Sequence, residues 1–133
     1  MLINLTNHPF ETWQAAMKKT AIDSYGNVVN LPFPAVSPNA DRVAVEELAS
    51  LYLMEIQVVI LKHNLSPGDV TIHLMGEFTF TYTLLTLLEA AGIPAVASTT
   101  ERNTIDQPDG SKTVNFSFVR FREYYNVTNK EIK

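Results

Sequence analysis

Residues 70–88, VTIHLMGEFTFTYTLLTLL, read as a short apolar strand, a glycine and an uncapped polar turn that runs straight into an amphipathic helix. That joint belongs to an open α/β sheet, where strand carboxyl ends open into a crevice and the amides of a following helix point outward. The rest of the chain carries the same grammar. Residues 1–6, MLINLT, predict a buried first strand that breaks at Asn7-His8-Pro9, since Pro9 disfavours helix at His8 and cannot donate to a ladder. Trp13, Ala16, Met17, Ala21 and Tyr25 recur at near-helical spacing, and Gly26 is placed to stop that helix. Residues 27–33 give a second short strand, and Pro32, Pro34 and Pro38 hold the following loop extended.

The longest helix is expected over residues 41–63. One stripe runs through Val45, Leu48, Tyr52, Ile56, Val59 and Ile60, and a second through Ala44, Leu51, Met54, Val58 and Leu61. One stripe suffices to cover a sheet, so the second needs a further partner, either a homodimer contact or burial inside the monomer. After the turn at 66–69 comes strand three, 70–75, then a helix to Ala91 that stops at Gly92, and a fourth strand at 93–98. Asp106-Gln107-Pro108-Asp109-Gly110 supplies turn chemistry for an antiparallel hairpin whose last run is 113–124. The alternation of that run shifts near Val119, which predicts a bulge or twist. The order β-α-β-α-β-α-β-β predicts an α/β, three-layer, Rossmann-like sheet, mostly parallel with an antiparallel C-terminal strand.

At 133 residues the chain is expected to be one domain, 1–133, able to bury a core without disulfide or metal. It has no cysteine, which removes thiol catalysis and thiolate metal sites and fits a cytoplasmic setting. No signal peptide or membrane-length apolar run is read from it. A net charge of −4 argues against a duplex nucleic-acid partner, yet leaves room for a small anionic ligand held by an arginine and a helix terminus.

Right-handed crossovers bring the parallel strand ends to one edge, so three polar clusters are expected to meet there. They are Thr6-Asn7-His8, Gly76-Glu77-Phe78-Thr79 and Ser98-Thr99-Thr100-Glu101-Arg102. With strands in the order two-one-three-four, strands one and three flank the switch point and the crevice between them is the default site. Each cluster also has a plain reading. Asn7 serves equally as a turn cap, and His8 as a solvated loop residue unless its place at the edge makes it a ligand contact or catalyst. Gly76 provides backbone freedom or close approach of a ligand. Glu77 and Thr79 fit a helix cap; otherwise Glu77 acts as a general base or holds a ribose hydroxyl, since it repels an anion. Arg102 either pairs with Glu101 or Asp106 or offers its fork to a phosphate or base. Arg120 and Arg122 read as surface or salt-bridging residues, His73 as a satisfied core or interface histidine, and His63 as a helix C-terminal charge. No metal-ligand spacing, Walker loop, G-x-G-x-x-G or G-x-S-x-G appears.

Taken together, LTNHP, LPFP, HLMGEFTFTYTLL, STTER and FSFVRFREY resemble small CRISPR-associated proteins of type III systems, in the Rossmann-like group called CARF-related. That resemblance implies a homodimer with a cyclic oligoadenylate across its two-fold axis and, as in the small ring nucleases, cleavage of that messenger in antiviral defence. It implies His8, Arg102 and Glu77 as catalytic candidates. Thr6, Asn7, Gly76, Thr79, Ser98, Thr99 and Thr100 become ligand contacts. The chemistry needs no metal or cofactor, because a ribose 2′-hydroxyl held in line attacks the adjacent phosphorus. The alternatives are a non-catalytic sensor or sponge for such a ring, and an interaction protein that docks through helix 41–63.

Overall fold

The computed structural model describes residues 1–129. Its strands are β1 (Leu2–Leu5), β2 (Val28–Asn30), β3 (Thr71–Leu74), β4 (Ala95–Asp106) and β5 (Lys112–Glu123). Its α-helices are α1 (Ala15–Tyr25), α2 (Arg42–Lys62) and α3 (Phe78–Ala90). The strands form one sheet in the order β2-β1-β3-β4-β5, parallel throughout except for the β4–β5 pair. The chain is therefore a mixed α/β protein, compatible with a Rossmann-like winding, and its order reverses between β1 and β3, the arrangement on which the expected crevice is conditional.

Period-two alternation divides the sheet into two faces. Ile3, Leu5, Ile72 and Leu74 pack on one face with Val45, Ala49, Ile56 and Ile60 of α2 and Phe80, Leu84 and Leu88 of α3. Phe80, wholly buried, receives Phe33 and Tyr52 edge-on at centroid distances of 5.2 and 5.5 Å. The opposite face carries Leu2 and Val96 beneath Trp13 and Ala21. Local chemistry ends the helices where the sequence says. Asp41 caps α2 by accepting from the Ala44 amide at 2.9 Å, the His63 ring lies 2.9 Å from the Val59 carbonyl, and Gly26 and Gly92 take positive φ beyond α1 and α3.

Three expectations are corrected. Strand four does not stop at Ser98: β4 runs on to Asp106, so residues 99–102 lie within a strand and not in a loop after it. Pairing explains this, because β3 meets β4 only at Ile72↔Ala95 and His73↔Val96, while β5 accompanies β4 as far as Asp106↔Lys112. A two-stranded ribbon thus leaves the sheet. Its register slips where Thr99↔Arg120 gives way to Thr100↔Phe118, which leaves Val119 as the extra residue at the predicted position. Second, the turn before α3 is capped, as described below. Third, the second stripe of α2 is not buried inside the monomer: Leu51, Met54, Val58 and Leu61 are all exposed, as are Phe78 and Tyr82 of α3. Among the described residues no helix is long and apolar enough to cross a membrane.

Candidate functional site

The polar residues gathered by the sheet form a row that crosses four strands. Parallel register sets Asn30 of β2 beside Asn4 of β1, and Asn4 beside His73 of β3. Ser98 follows on β4, two residues past the His73 partner Val96 and so on the same face. Asn4 and His73 are buried, at 1% and 2% exposure, under Trp13 and Phe121, whose rings stand edge-on to the imidazole at 5.3 and 5.4 Å. Polar groups at that depth must be partnered, and each of them is.

The partners fix the direction of every hydrogen bond. Asn30 Oδ1 accepts the Phe10 amide at 3.0 Å, and its Nδ2 donates to the Glu11 carboxylate at 3.0 and 3.2 Å. Asn4 Nδ2 donates to Asn30 Oδ1 at 3.0 Å and to the His8 carbonyl at 2.8 Å. Asn4 Oδ1 therefore only accepts, and it lies 2.9 Å from His73 Nδ1. The neutral imidazole must carry its proton on Nδ1, which leaves Nε2 as the acceptor for Ser98 Oγ at 3.0 Å. Met75 Sδ stands 3.3 Å from the same hydroxyl, but a thioether is the weaker acceptor. Burial, and then the positive charge available to nearby His8, pushes the His73 pKa down to about 4. At neutral pH this histidine is uncharged.

The first polar cluster is tied to this row through its backbone. The His8 carbonyl accepts from Asn4 Nδ2 and from Trp13 Nε1 at 2.9 Å, and the His8 amide donates to Thr6 Oγ1 at 3.1 Å. Thr6 is buried, whereas Asn7 and His8 are exposed at the carboxyl end of β1. A pocket of about 200 Å³ opens there, bounded by Thr6, Asn7, Asn30 and Phe33 among others. A larger concavity of about 800 Å³ lies elsewhere, between α3 and the segment after β5, lined by Tyr82, Leu85, Ile93 and Tyr125. It contains none of the row and none of the three clusters, whereas the smaller one, between the ends of β1 and β2, is lined by Asn4, Asn30, Thr6 and Asn7.

The second cluster is occupied by its own side chains. The Glu77 carboxylate accepts from the amides of Thr79 at 3.0 Å and Phe80 at 2.8 Å, and from the Thr79 hydroxyl at 2.6 Å. These bonds, the hydroxyl first, hold its pKa below the usual carboxylate value. The α3 terminus is thus self-capped, and an anion reaching those amides would have to displace Glu77. Replacement of Glu77 by Ala is expected to lower the thermal midpoint by a few degrees, read by circular dichroism. Gly76 has no room above it: a Cβ there would fall on the Phe33 ring, which the proline-stiffened loop brings across.

The third cluster divides. Ser98 joins the row, while Thr99 Oγ1 stitches the bulge by accepting the Arg120 amide and donating to its carbonyl, both at 3.2 Å. Thr100 and Arg102 are exposed on the ribbon. Arg102 stands four residues beyond Ser98, roughly 13 Å along an extended strand. No ion pair among the described residues holds it. The ribbon is itself braced by Gln14, whose amide donates to the Phe116 carbonyl at 2.6 Å and accepts the Phe118 amide at 3.0 Å. Sequence reasoning missed Asn4 and Asn30 and read Trp13 only as a helix position, whereas it precedes α1; the one signal was a pair of asparagines inside strands, where such residues are depleted.

A family model described as the uncharacterized protein MJ1673 family matches residues 1–122. The chain belongs to the MJ1673 family. That match takes in β1 through the row and the bulge of β5. No curated protein and no solved structure matches the chain. Among the described residues no three histidine, aspartate or glutamate side chains converge as metal ligands.

Proposed function

We propose that this MJ1673-family protein binds a cyclic oligoadenylate at the crevice where β1 and β3 end, as a CARF-like homodimer, and opens the ring by metal-independent phosphodiester cleavage. The reading rests on one observation above the others: an exposed histidine, His8, sits at the topological switch point with its backbone fixed by Asn4, Thr6 and Trp13. The fixed backbone places the His8 side chain at the mouth of the crevice, within reach of a ligand there. The ring's 2′-hydroxyl would attack its neighbouring phosphorus, with loss of the 5′-oxygen, and His8 would exchange the protons. The pocket of about 200 Å³ beside this crevice, between the ends of β1 and β2, is small for such a ring, so the ligand would lie across two copies. The uncovered stripe Leu51, Met54, Val58 and Leu61 provides apolar surface for that pairing.

Purified protein incubated with cyclic tetra-adenylate in chelator should yield linear products ending in a 2′,3′-cyclic phosphate. The His8→Ala variant should be at least about 100-fold slower. Ring recovered whole at excess protein removes the catalytic reading. A second reading, binding without cleavage, is favoured by the Glu77 carboxylate on the α3 amides and by the distance of Arg102 along the ribbon, since both leave developing phosphorane charge without a partner. Stoichiometric binding with intact ring in the same assay establishes that alternative.

A further inference from the structure

The row Glu11–Asn30–Asn4–His73–Ser98 is a directed chain. A carboxylate accepts from an amide, that amide's oxygen from a second amide, the second from an imidazole N–H, and the imidazole's free nitrogen from a hydroxyl. Burying the Asn4 amide and the His73 imidazole gives up their hydration, and apolar residues would fill the same positions at less cost. Two ends of the row reach toward solvent, Glu11 at one and half-buried Ser98 at the other. At the Ser98 end the geometry is that of an activated nucleophile: a hydroxyl 3.0 Å from the base nitrogen, and the base oriented at 2.9 Å by a third group. An amide oxygen in that third position fixes the imidazole tautomer, which is what leaves Nε2 free to take a proton.

We propose that Ser98 is a nucleophile, with His73 as its general base and Asn4 as the positioning residue, and that it takes an uncharged carboxylic ester. The step is an acyl transfer. Ser98 Oγ bonds to the ester carbon, the ester C–O bond breaks, and the Ser98 proton passes to His73 Nε2 and on to the departing alkoxide. Water then attacks the acyl-serine, and its proton returns through Nε2 to Ser98 Oγ as the acid leaves. An uncharged substrate is specified because no lysine or arginine of the described residues donates to any member of the row, and because the surroundings are Trp13, Phe121 and the Met75 thioether. This activity is separate from the oligoadenylate reading and does not depend on it.

The test uses diisopropyl fluorophosphate, an uncharged electrophile that loses fluoride to an activated serine, on the intact chain at pH 7.5. One adduct is expected, mapped by mass spectrometry to Ser98, absent from Ser98→Ala and formed about 100-fold more slowly in His73→Gln. Label scattered over exposed serines such as Ser37 or Ser111, or an unchanged rate in His73→Gln, overturns the proposal. Should His73→Gln fail to fold, His73→Asn decides: it keeps an amide in the row, and its Ser98 adduct should likewise form about 100-fold more slowly than in the wild-type chain. An unchanged rate overturns the assignment. With p-nitrophenyl acetate, a burst of nitrophenol that requires Ser98 shows the acyl-enzyme, and no burst above Ser98→Ala overturns the ester as substrate class.

Discussion

Acidification from pH 7 to pH 4 will remove about 3 kcal/mol of folding stability through His73 alone. The folded-state pKa of this imidazole is pushed down to about 4, by burial first and by His8 second. An unfolded chain protonates the same group near 6.5. Between those values the unfolded state holds the proton and the folded state does not, so stability falls as pH falls and levels off once both are protonated. Each pH unit of that window is worth about 1.4 kcal/mol. Urea midpoints measured across pH 5–6.5 isolate the effect. Glu77 and Asp109 have depressed pKa values, and such acids lose their contribution only at lower pH, as they protonate. A flat profile for the wild-type protein, or the same slope in His73→Gln, would show that the imidazole is not held neutral by its burial.

The Asn4→Ala substitution should cost on the order of 3 kcal/mol and lower the thermal midpoint by roughly 10 °C. Asn4 is the hub of the row, donating to Asn30 and to His8 and accepting from His73 and Thr6. Truncation leaves the His73 N–H buried without an acceptor, and this dominates the loss, since an orphaned buried donor costs more than a net hydrogen bond contributes. The His8 carbonyl retains the Trp13 indole, and Asn30 Oδ1 retains the Phe10 amide, so those losses are smaller. The same change frees the imidazole to rotate. Labelling of Ser98 should therefore fall further than the fraction of folded protein does, measured as adduct yield against the circular dichroism signal of the same sample.

Much of the architecture was legible in the chain itself, because it is written in near-neighbour physics. Apolar spacing gave the three helices, Gly26 and Gly92 their stops, and Asp106–Gly110 the hairpin. Broken alternation marked the bulge at Val119. Crossover handedness put the parallel strand ends on one edge, while the strand order that sets the switch point between β1 and β3 comes from the sheet itself. The site was less legible. The place of His8 at a strand end is readable from its neighbour Pro9, and Glu77 reads as a cap from its position alone. Polar residues at the end of an apolar strand place Thr99 and Thr100 beyond strand four, yet their backbone continues in a ladder supplied by β5, some 20 residues away in sequence. Gly76 looked open until Phe33 was found upon it, a contact set by the path of a loop more than 40 residues earlier.

Local sequence thus determined which segments are strands and helices, since propensity, caps and turns act over a few residues. Only tertiary structure decided the row Asn30–Asn4–His73–Ser98. Its members are ordinary where they stand in sequence, and they become a hydrogen-bonded chain because parallel register places four strands side by side and Trp13 and Phe121 pack over the imidazole at its centre. No periodicity in a single segment encodes that register.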